Sequence, residues 1–124
     1  MTITYPAPLP PWSTNEDRNL HWGRRAERVK AWHDAAYWNA KQAGWNHPSK
    51  NNRPSTVQLT VTYPTKRRRD ASNLVGTIVK ASVDGLVAAG VFPDDTPEWV
   101  TVLEPVILVA PGWHVVSIEV KDRP

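Results

Sequence analysis

Thr56-Val57-Gln58-Leu59-Thr60-Val61-Thr62-Tyr63-Pro64-Thr65-Lys66-Arg67-Arg68-Arg69-Asp70-Ala71-Ser72-Asn73-Leu74 changes its period halfway along. Val57, Leu59, Val61 and Tyr63 alternate with Gln58, Thr60 and Thr62, which predicts a half-buried strand over 56–63. Pro64 ends it, because proline cannot donate to a strand ladder. A helix should start near Asp70–Asn73 and end at Gly90, with Leu74, Ile78, Ala81, Leu86 and Val87 as its apolar set. Four consecutive bases and one acid lie between the two elements.

Upstream, Ala26, Val29, Trp32/His33, Ala36/Tyr37 and Ala40 recur at helical spacing, which predicts a helix from about Gly23 to Ala43 with Gly44 as its stop. Residues 46–54 read as loop, and residues 12–22 as an irregular polar loop. Residues 2–5 are a β-prone run closed by Pro6, Pro8, Pro10 and Pro11. Downstream, residues 91–97 form a turn with two prolines. Strands over 99–109 and 114–121 follow, joined by a tight connection at Pro111-Gly112. The order β-α-β-α-β-β predicts an α+β fold: a small mixed sheet of about four strands packed with two main helices, in one domain over 1–124.

At 124 residues the chain has room for one modest core. It holds no cysteine, which excludes disulfide frameworks, zinc ribbons and thiol catalysis. No apolar run approaches the roughly 20 residues of a membrane helix. The opening MTITYPAPLPPW has no basic segment and no long apolar segment, so it does not read as a signal peptide. A soluble cytoplasmic domain is expected. The net charge of +3 hides a segregation of sign. Residues 18–69 carry twelve bases against two acids, and residues 70–124 carry three bases against eight acids. A basic half suits a polyanion and an acidic half suits a divalent cation, although either can simply be solvated surface.

The Lys66–Asp70 run has the chemistry to hold phosphate. Arginine offers two parallel donors to it, and a helix start adds backbone N–H groups. The plainer alternative is a solvated basic loop with Asp70 capping the helix. Arg24 and Arg25 join these bases as candidates for contacting DNA. Asn73, Thr77, Lys80 and Asp84 are spaced to share one helix face, where Lys80 and Asp84 can also form an ordinary surface ion pair. Asp94-Asp95 follow Phe92-Pro93, where acids also serve as turn formers. The helix between Asp70 and this turn spans about 26 Å at 1.5 Å per residue. Asp70 and Asp95 therefore meet only if the chain doubles back, if the helix begins late, or if a second subunit contributes one of them. His21, His33, His47 and His114 show no metal-ligand spacing, and no P-loop, GxGxxG, GxSxG or HExxH is present. Of the seven tryptophans, Trp32, Trp38 and Trp45 suit core or dimer contacts, whereas Trp12 and Trp22 flank the basic loop and suit stacking on unpaired bases.

Arg67-Arg68-Arg69-Asp70-Ala71-Ser72-Asn73-Leu74, then Lys80, Asp84-Gly85-Leu86, Ala89-Gly90 and Asp94-Asp95, resembles the core of RusA-type Holliday junction resolvases. Those are small, often phage-encoded, homodimeric endonucleases with a core of roughly D-x-D-N-L, a lysine, D-A-L, a glycine and D-D. Pro10-Pro11-Trp12-Ser13-Thr14-Asn15 resembles the family's P-P-S-x-N opening. The resemblance covers most of the chain, and its central block is the specific part. It implies catalytic roles for Asp70, Lys80 and Asp95. Metal ligands would come from Asp70, Asp94 and Asp95, and DNA contacts from Lys66, Arg67, Arg68, Arg69 and Asn73. Placing Lys80 in step requires about four residues, one helical turn, inserted after Leu74. Ser72 stands where the family has its second aspartate, and a neutral hydroxyl is a poor Mg²⁺ ligand. Asp84 or Glu98 are the acids available to replace it.

What the resemblance implies is a homodimeric, Mg²⁺-dependent endodeoxyribonuclease, with Mn²⁺ as an alternative ion, that nicks four-way junctions in pairs. Neither a membrane nor a small-molecule cofactor enters this expectation. One alternative is a junction-binding protein of the same fold whose site is impaired by Ser72. Another is a non-catalytic RNA or single-strand binder built on the basic loop and the tryptophans.

Overall fold

A computed structural model describes residues 1–45 and 53–124. His47 and most of the loop expected over 46–54 lie outside the described residues. The order is β1 (Thr2–Pro6), α1 (Thr14–Arg18), α2 (Trp22–Gln42), β2 (Ser55–Tyr63), a 3₁₀ turn (Ala71–Leu74), a π-helical turn (Val75–Val79), α3 (Lys80–Ala88), β3 (Val100–Val102), β4 (Val106–Val109) and β5 (Val115–Asp122). The fold is α+β, with a five-stranded mixed sheet and two main helices.

β2 is central. It pairs antiparallel with β5 on one side, and parallel with β3 and β4 on the other. β1 adds antiparallel to β5 at the far edge. Every second residue of β2 is buried, as its alternation predicts. Those side chains share one apolar cluster with Ile118 of β5, Trp32 of α2 and Leu86 of α3. α2 and α3 press together closely at Gly85, where a Cβ would sit 2.3 Å from the His33 carbonyl oxygen. None of the helices among the described residues is long and apolar enough to cross a membrane.

The structure differs from the sequence expectation in four places. Residues 12–22 contain a helix, α1, whose start is a capping box. The Ser13 hydroxyl accepts from Glu16 N at 3.2 Å, and the Glu16 carboxylate accepts from Ser13 N at 3.4 Å. The single strand expected over 99–109 is two strands. Val57 pairs with Val102 and Thr60 with Val106, so residues 103–105 bulge against 58–59. Pro105, without an N–H, sits in that bulge. The connection at Pro111-Gly112 joins strands that lie on opposite sides of β2, so it steps over the end of β2.

The fourth difference is the second helix, which tightens and then widens before it becomes regular. The π turn rotates the side chains away from ideal helical spacing. Thr77 is consequently buried, not aligned with Asn73, Lys80 and Asp84 on a polar face. Its hydroxyl donates to the Trp12 carbonyl at 2.6 Å.

Candidate nucleic-acid interface

β2 ends at Tyr63, and Pro64 turns the chain out of the sheet into Thr65–Arg69. Arg69 returns toward the strand it left. Its guanidinium lies 3.7 Å above the Tyr63 ring, and its Nη1 donates to the Thr65 carbonyl at 2.9 Å. This cation–π contact and hydrogen bond brace the loop. Arg67 and Arg68 are exposed. Lys66 is exposed too but stands outside the groove that the three arginines line.

Asp70 is the cap of the 3₁₀ turn. Its Oδ1 accepts from the Ser72 hydroxyl at 2.8 Å and from Ser72 N at 3.0 Å. Those two bonds, with a smaller contribution from Arg68, hold its carboxyl below the usual carboxylate range. The capping role considered from sequence is the geometry observed, and Ser72 spends its hydroxyl hydrogen on Asp70.

The groove encloses about 570 Å³. One wall is Arg67, Arg68, Arg69, Asp70 and Asn73, and a second is Pro10, Pro11, Ser13, Asn15 and Glu16. The Thr14 hydroxyl ties the walls together by donating to the Asn73 carbonyl at 3.0 Å. His114 closes the groove beside Tyr63, its ring edge-on to Tyr63 and to Trp113. Burial, and then the charge of Arg69, push the His114 pKa below its ordinary value, which leaves the ring neutral at pH 7. Sequence reasoning missed Glu16 and His114. The spacing Ser13-x-x-Glu16 was a visible signal for the first, and the second depends on how the chain crosses the end of β2.

The remaining candidates stand elsewhere. Lys80 and Asp84 form an exposed ion pair at 3.3 Å on α3, and neither lines the groove. Asp94 accepts from Asp95 N at 2.7 Å within its own turn. That turn leads into β3, whose first residue Val100 pairs with Ser55, the first residue of β2. Asp70 follows the other end of β2, a strand roughly 26 Å long at 3.3 Å per residue, and neither Asp94 nor Asp95 lines the groove that holds Asp70. Glu98 shares the distant end. Arg25 holds α1 by binding the Asp17 carboxylate at 3.1 Å and its carbonyl at 2.7 Å. Arg24 is exposed on α2.

The two tryptophans expected to stack on bases have opposite fates. Trp12 is core, edge-on to Trp32. Trp22 is 75% exposed. Trp32 and Trp45 are core as expected, and Trp38 is exposed.

Among the described residues no three His, Cys, Asp or Glu side chains come together. Asp70 accepts both bonds on Oδ1, and Glu16, the other carboxylate among the described residues that line the groove, accepts within the capping box. What one chain offers is an arginine-lined groove at the start of a helix. No family model matches the chain, and no curated protein matches it.

Proposed function

We propose that this chain is a RusA-type endodeoxyribonuclease that resolves four-way DNA junctions by paired nicking and works as a homodimer. The observation that carries the reading is the groove at the end of β2, where Arg67, Arg68 and Arg69 lead into a capped helix start beside Asn73. Two exposed guanidinium forks are what a phosphodiester needs; the helix-start N–H groups of Ser72 and Asn73 are already taken by Asp70. A groove open along one side accepts a strand that continues in both directions. Asp70 sits against the held phosphate in this arrangement.

The resemblance to RusA-type resolvases supplies the rest of the reading. Its alignment needs an insertion after Leu74, and the π turn Val75–Val79 starts at that point. An insertion of about four residues is one regular turn and keeps the helix face, so the π turn marks the place without accounting for the insertion. Mg²⁺, or Mn²⁺, belongs to this reading as the ion the resemblance implies. Among the described residues Asp94 and Asp95 do not line the groove that holds Asp70, so on this reading a second copy supplies them. What the chain itself does is hold the phosphate with arginine, orient the strand through Asn73, and present the Asp70 carboxylate.

A second reading is favoured by one observation. Ser72 occupies the position of a second carboxylate and donates its hydroxyl to Asp70. On that reading the chain binds junctions and does not cut them.

Incubation of a labelled synthetic four-way junction with the protein in Mg²⁺ or Mn²⁺ separates the two, with chelator and linear duplex as controls. Paired metal-dependent nicks in opposed strands support the nuclease. Selective junction binding without nicks supports the second reading, and Ser72→Asp should then gain cleavage. Equal affinity for linear duplex and junction would sink both.

A further inference from the structure

We propose that Trp113 is a stacking platform for an unpaired DNA base whose strand runs through the arginine-lined groove. This rests on the DNA-binding reading given above and adds to it the feature of the substrate that the protein recognises. Two observations carry it: how firmly an exposed indole is held, and where it stands.

Trp113 is 53% exposed. A lone exposed aromatic is ordinary, but an exposed aromatic fixed in place is not. The Trp113 Nε1–H donates to the Ala7 carbonyl at 2.8 Å. The His114 carbonyl accepts from Ala7 N at 2.9 Å. These two bonds pin residues 113 and 114 to the chain just beyond β1. The Trp113 ring also stands edge-on to His114, with centroids 5.2 Å apart at 86°. The indole has therefore given up its rotamer freedom in the free protein, and a ring ordered in advance loses less entropy when a ligand stacks on it.

The same contacts tie the indole to the groove. Arg69 lies 3.7 Å over the Tyr63 ring, Tyr63 stands edge-on to His114 at 5.5 Å, and His114 meets Trp113. Tyr63, Arg69 and His114 line the groove, so Trp113 stands at its rim, two ring contacts from Tyr63. A phosphate held on Arg67 and Arg68 leaves the neighbouring base free to reach that rim. Backbone held by cations beside an aromatic that takes a base is the combination that single strands require. A base inside a duplex has both faces covered by its neighbours and cannot use the platform. The feature recognised is thus an unpaired base next to a bound phosphate, as at a gap, a flap or the crossover of a branch.

The other exposed indoles lack this link. Trp22 has its ring contact with His21, and Trp38 with Tyr37, and neither of those partners lines the groove. Trp12, expected to stack, is core.

The test uses the full chain with a gapped duplex, in chelator so that no strand is cut. One unpaired position carries 2-aminopurine, whose fluorescence falls on stacking, and the probe is moved through the gap one position at a time. The wild type should quench it at one or two positions and should bind gapped DNA more tightly than paired duplex. Trp113→Phe and Trp113→Leu both remove the bond to Ala7, and only Phe keeps a π face. Phe should retain the quench and the preference. Leu should lose the quench and weaken gapped binding by about 5-fold or more, with duplex binding changed by less than about twofold. If Phe and Leu behave alike, Trp113 is only a tie between this turn and the end of β1, and the proposal is overturned. It is overturned as well by a wild type that leaves the probe bright or binds both DNAs equally. The function proposed above fails separately. Stacking without paired nicks in Mg²⁺ or Mn²⁺ keeps the platform and loses the nuclease, and paired nicks with Leu equal to Phe do the reverse.

Discussion

The two ends of the sheet contrast in construction. Where β2 leaves the sheet, the chain is braced several times over: Arg69 on Tyr63, Thr14 to Asn73, Thr77 to Trp12, and Ser72 to Asp70. Where β3 begins, the Thr96 carbonyl accepts from Trp99 N and Val100 N and Arg123 donates to the Pro97 carbonyl at 2.8 Å, but Asp94 accepts from its neighbour's N–H and both acids stay exposed. A braced, concave, basic end holds a ligand in a fixed pose. The motif acids that run together in the sequence are thus divided in space, and the division is the strongest reason to look for a second copy.

The largest effect expected from this contrast is on cleavage. Asp70→Asn keeps a side chain that caps a helix start equally well, so the fold should be retained. Nicking should fall by about 100-fold or more, as for loss of a group acting at the transition state, while junction binding holds or tightens with one negative charge gone. Asp95→Asn should abolish nicking equally. A mixture of the two variants should regain part of it, because a mixed dimer carries one intact pairing of Asp70 with Asp95. Gel resolution of nicked junction arms reads all three. Wild-type rates in Asp70→Asn would remove the groove from the site, and no recovery in the mixture would place both acids outside a shared one.

Next in size is a change that separates the packed end of the second helix from its irregular start. Gly85 faces the α2 backbone with no room for a methyl group: the His33 carbonyl oxygen would lie 2.3 Å from it and Ala36 Cβ 3.2 Å. Gly85→Ala should cost about 3 kcal/mol of unfolding free energy, because helix backbones cannot yield as side chains do. Gly76 in the π turn has nothing within 4 Å of the same position. Gly76→Ala should change stability by less than about 1 kcal/mol, in either direction. Urea denaturation of the two variants makes the comparison, and equal effects would contradict the packing described.

How much of this was readable in the sequence differs from element to element. The alternation Val57–Tyr63 and the glycine stops at Gly44 and Gly90 carried directly, because a strand face and a left-handed stop are local demands. The wide separation of Asp70 from Asp95 was also readable, from helix length alone. Ser13 and Glu16 announced α1 in a segment that its polarity made look like loop. The π turn was hidden, since Leu74, Ile78 and Ala81 also suit a regular helix. Trp12 and Trp22 could not be told apart, because burial of one depends on the distant Trp32. His114 reaches the groove only through the crossing of the chain over β2, a tertiary fact with no local signature.

A smaller effect tests whether the bracing of the basic end is real. The Thr77 hydroxyl is buried and donates to the Trp12 carbonyl at 2.6 Å, linking the π turn to the wall that carries Ser13 and Glu16. Thr77→Val keeps the volume and leaves that carbonyl without its partner. The cost should be about 1–2 kcal/mol by urea denaturation. Junction affinity should fall further than it does for a surface change of equal stability cost, such as one on α2, because the two walls would no longer be held in register. An equal fall in both would mean that the tie stabilises the fold without shaping the groove.

The smallest effect concerns Ser72, and it separates the two readings of function through pH. Asp70 is held below its ordinary value chiefly by the Ser72 hydroxyl, then by Ser72 N. A carboxylate with a lowered folded pKa adds stability above its unfolded value, and that stability is lost as pH falls through the folded one. Ser72→Ala removes the hydroxyl bond and leaves the backbone bond, so the Asp70 pKa should rise part of the way back. The variant should then be slightly less stable than the wild type at neutral pH and converge with it in strong acid, near pH 2 in round terms. Carboxyl-carbon NMR titration of Asp70 and denaturation curves at the two pH values check this. A shift without loss of junction binding would show that Ser72 tunes Asp70 as a capped anion. If binding also changed in proportion, the hydroxyl would be contacting the phosphate itself and would be part of how the strand is held.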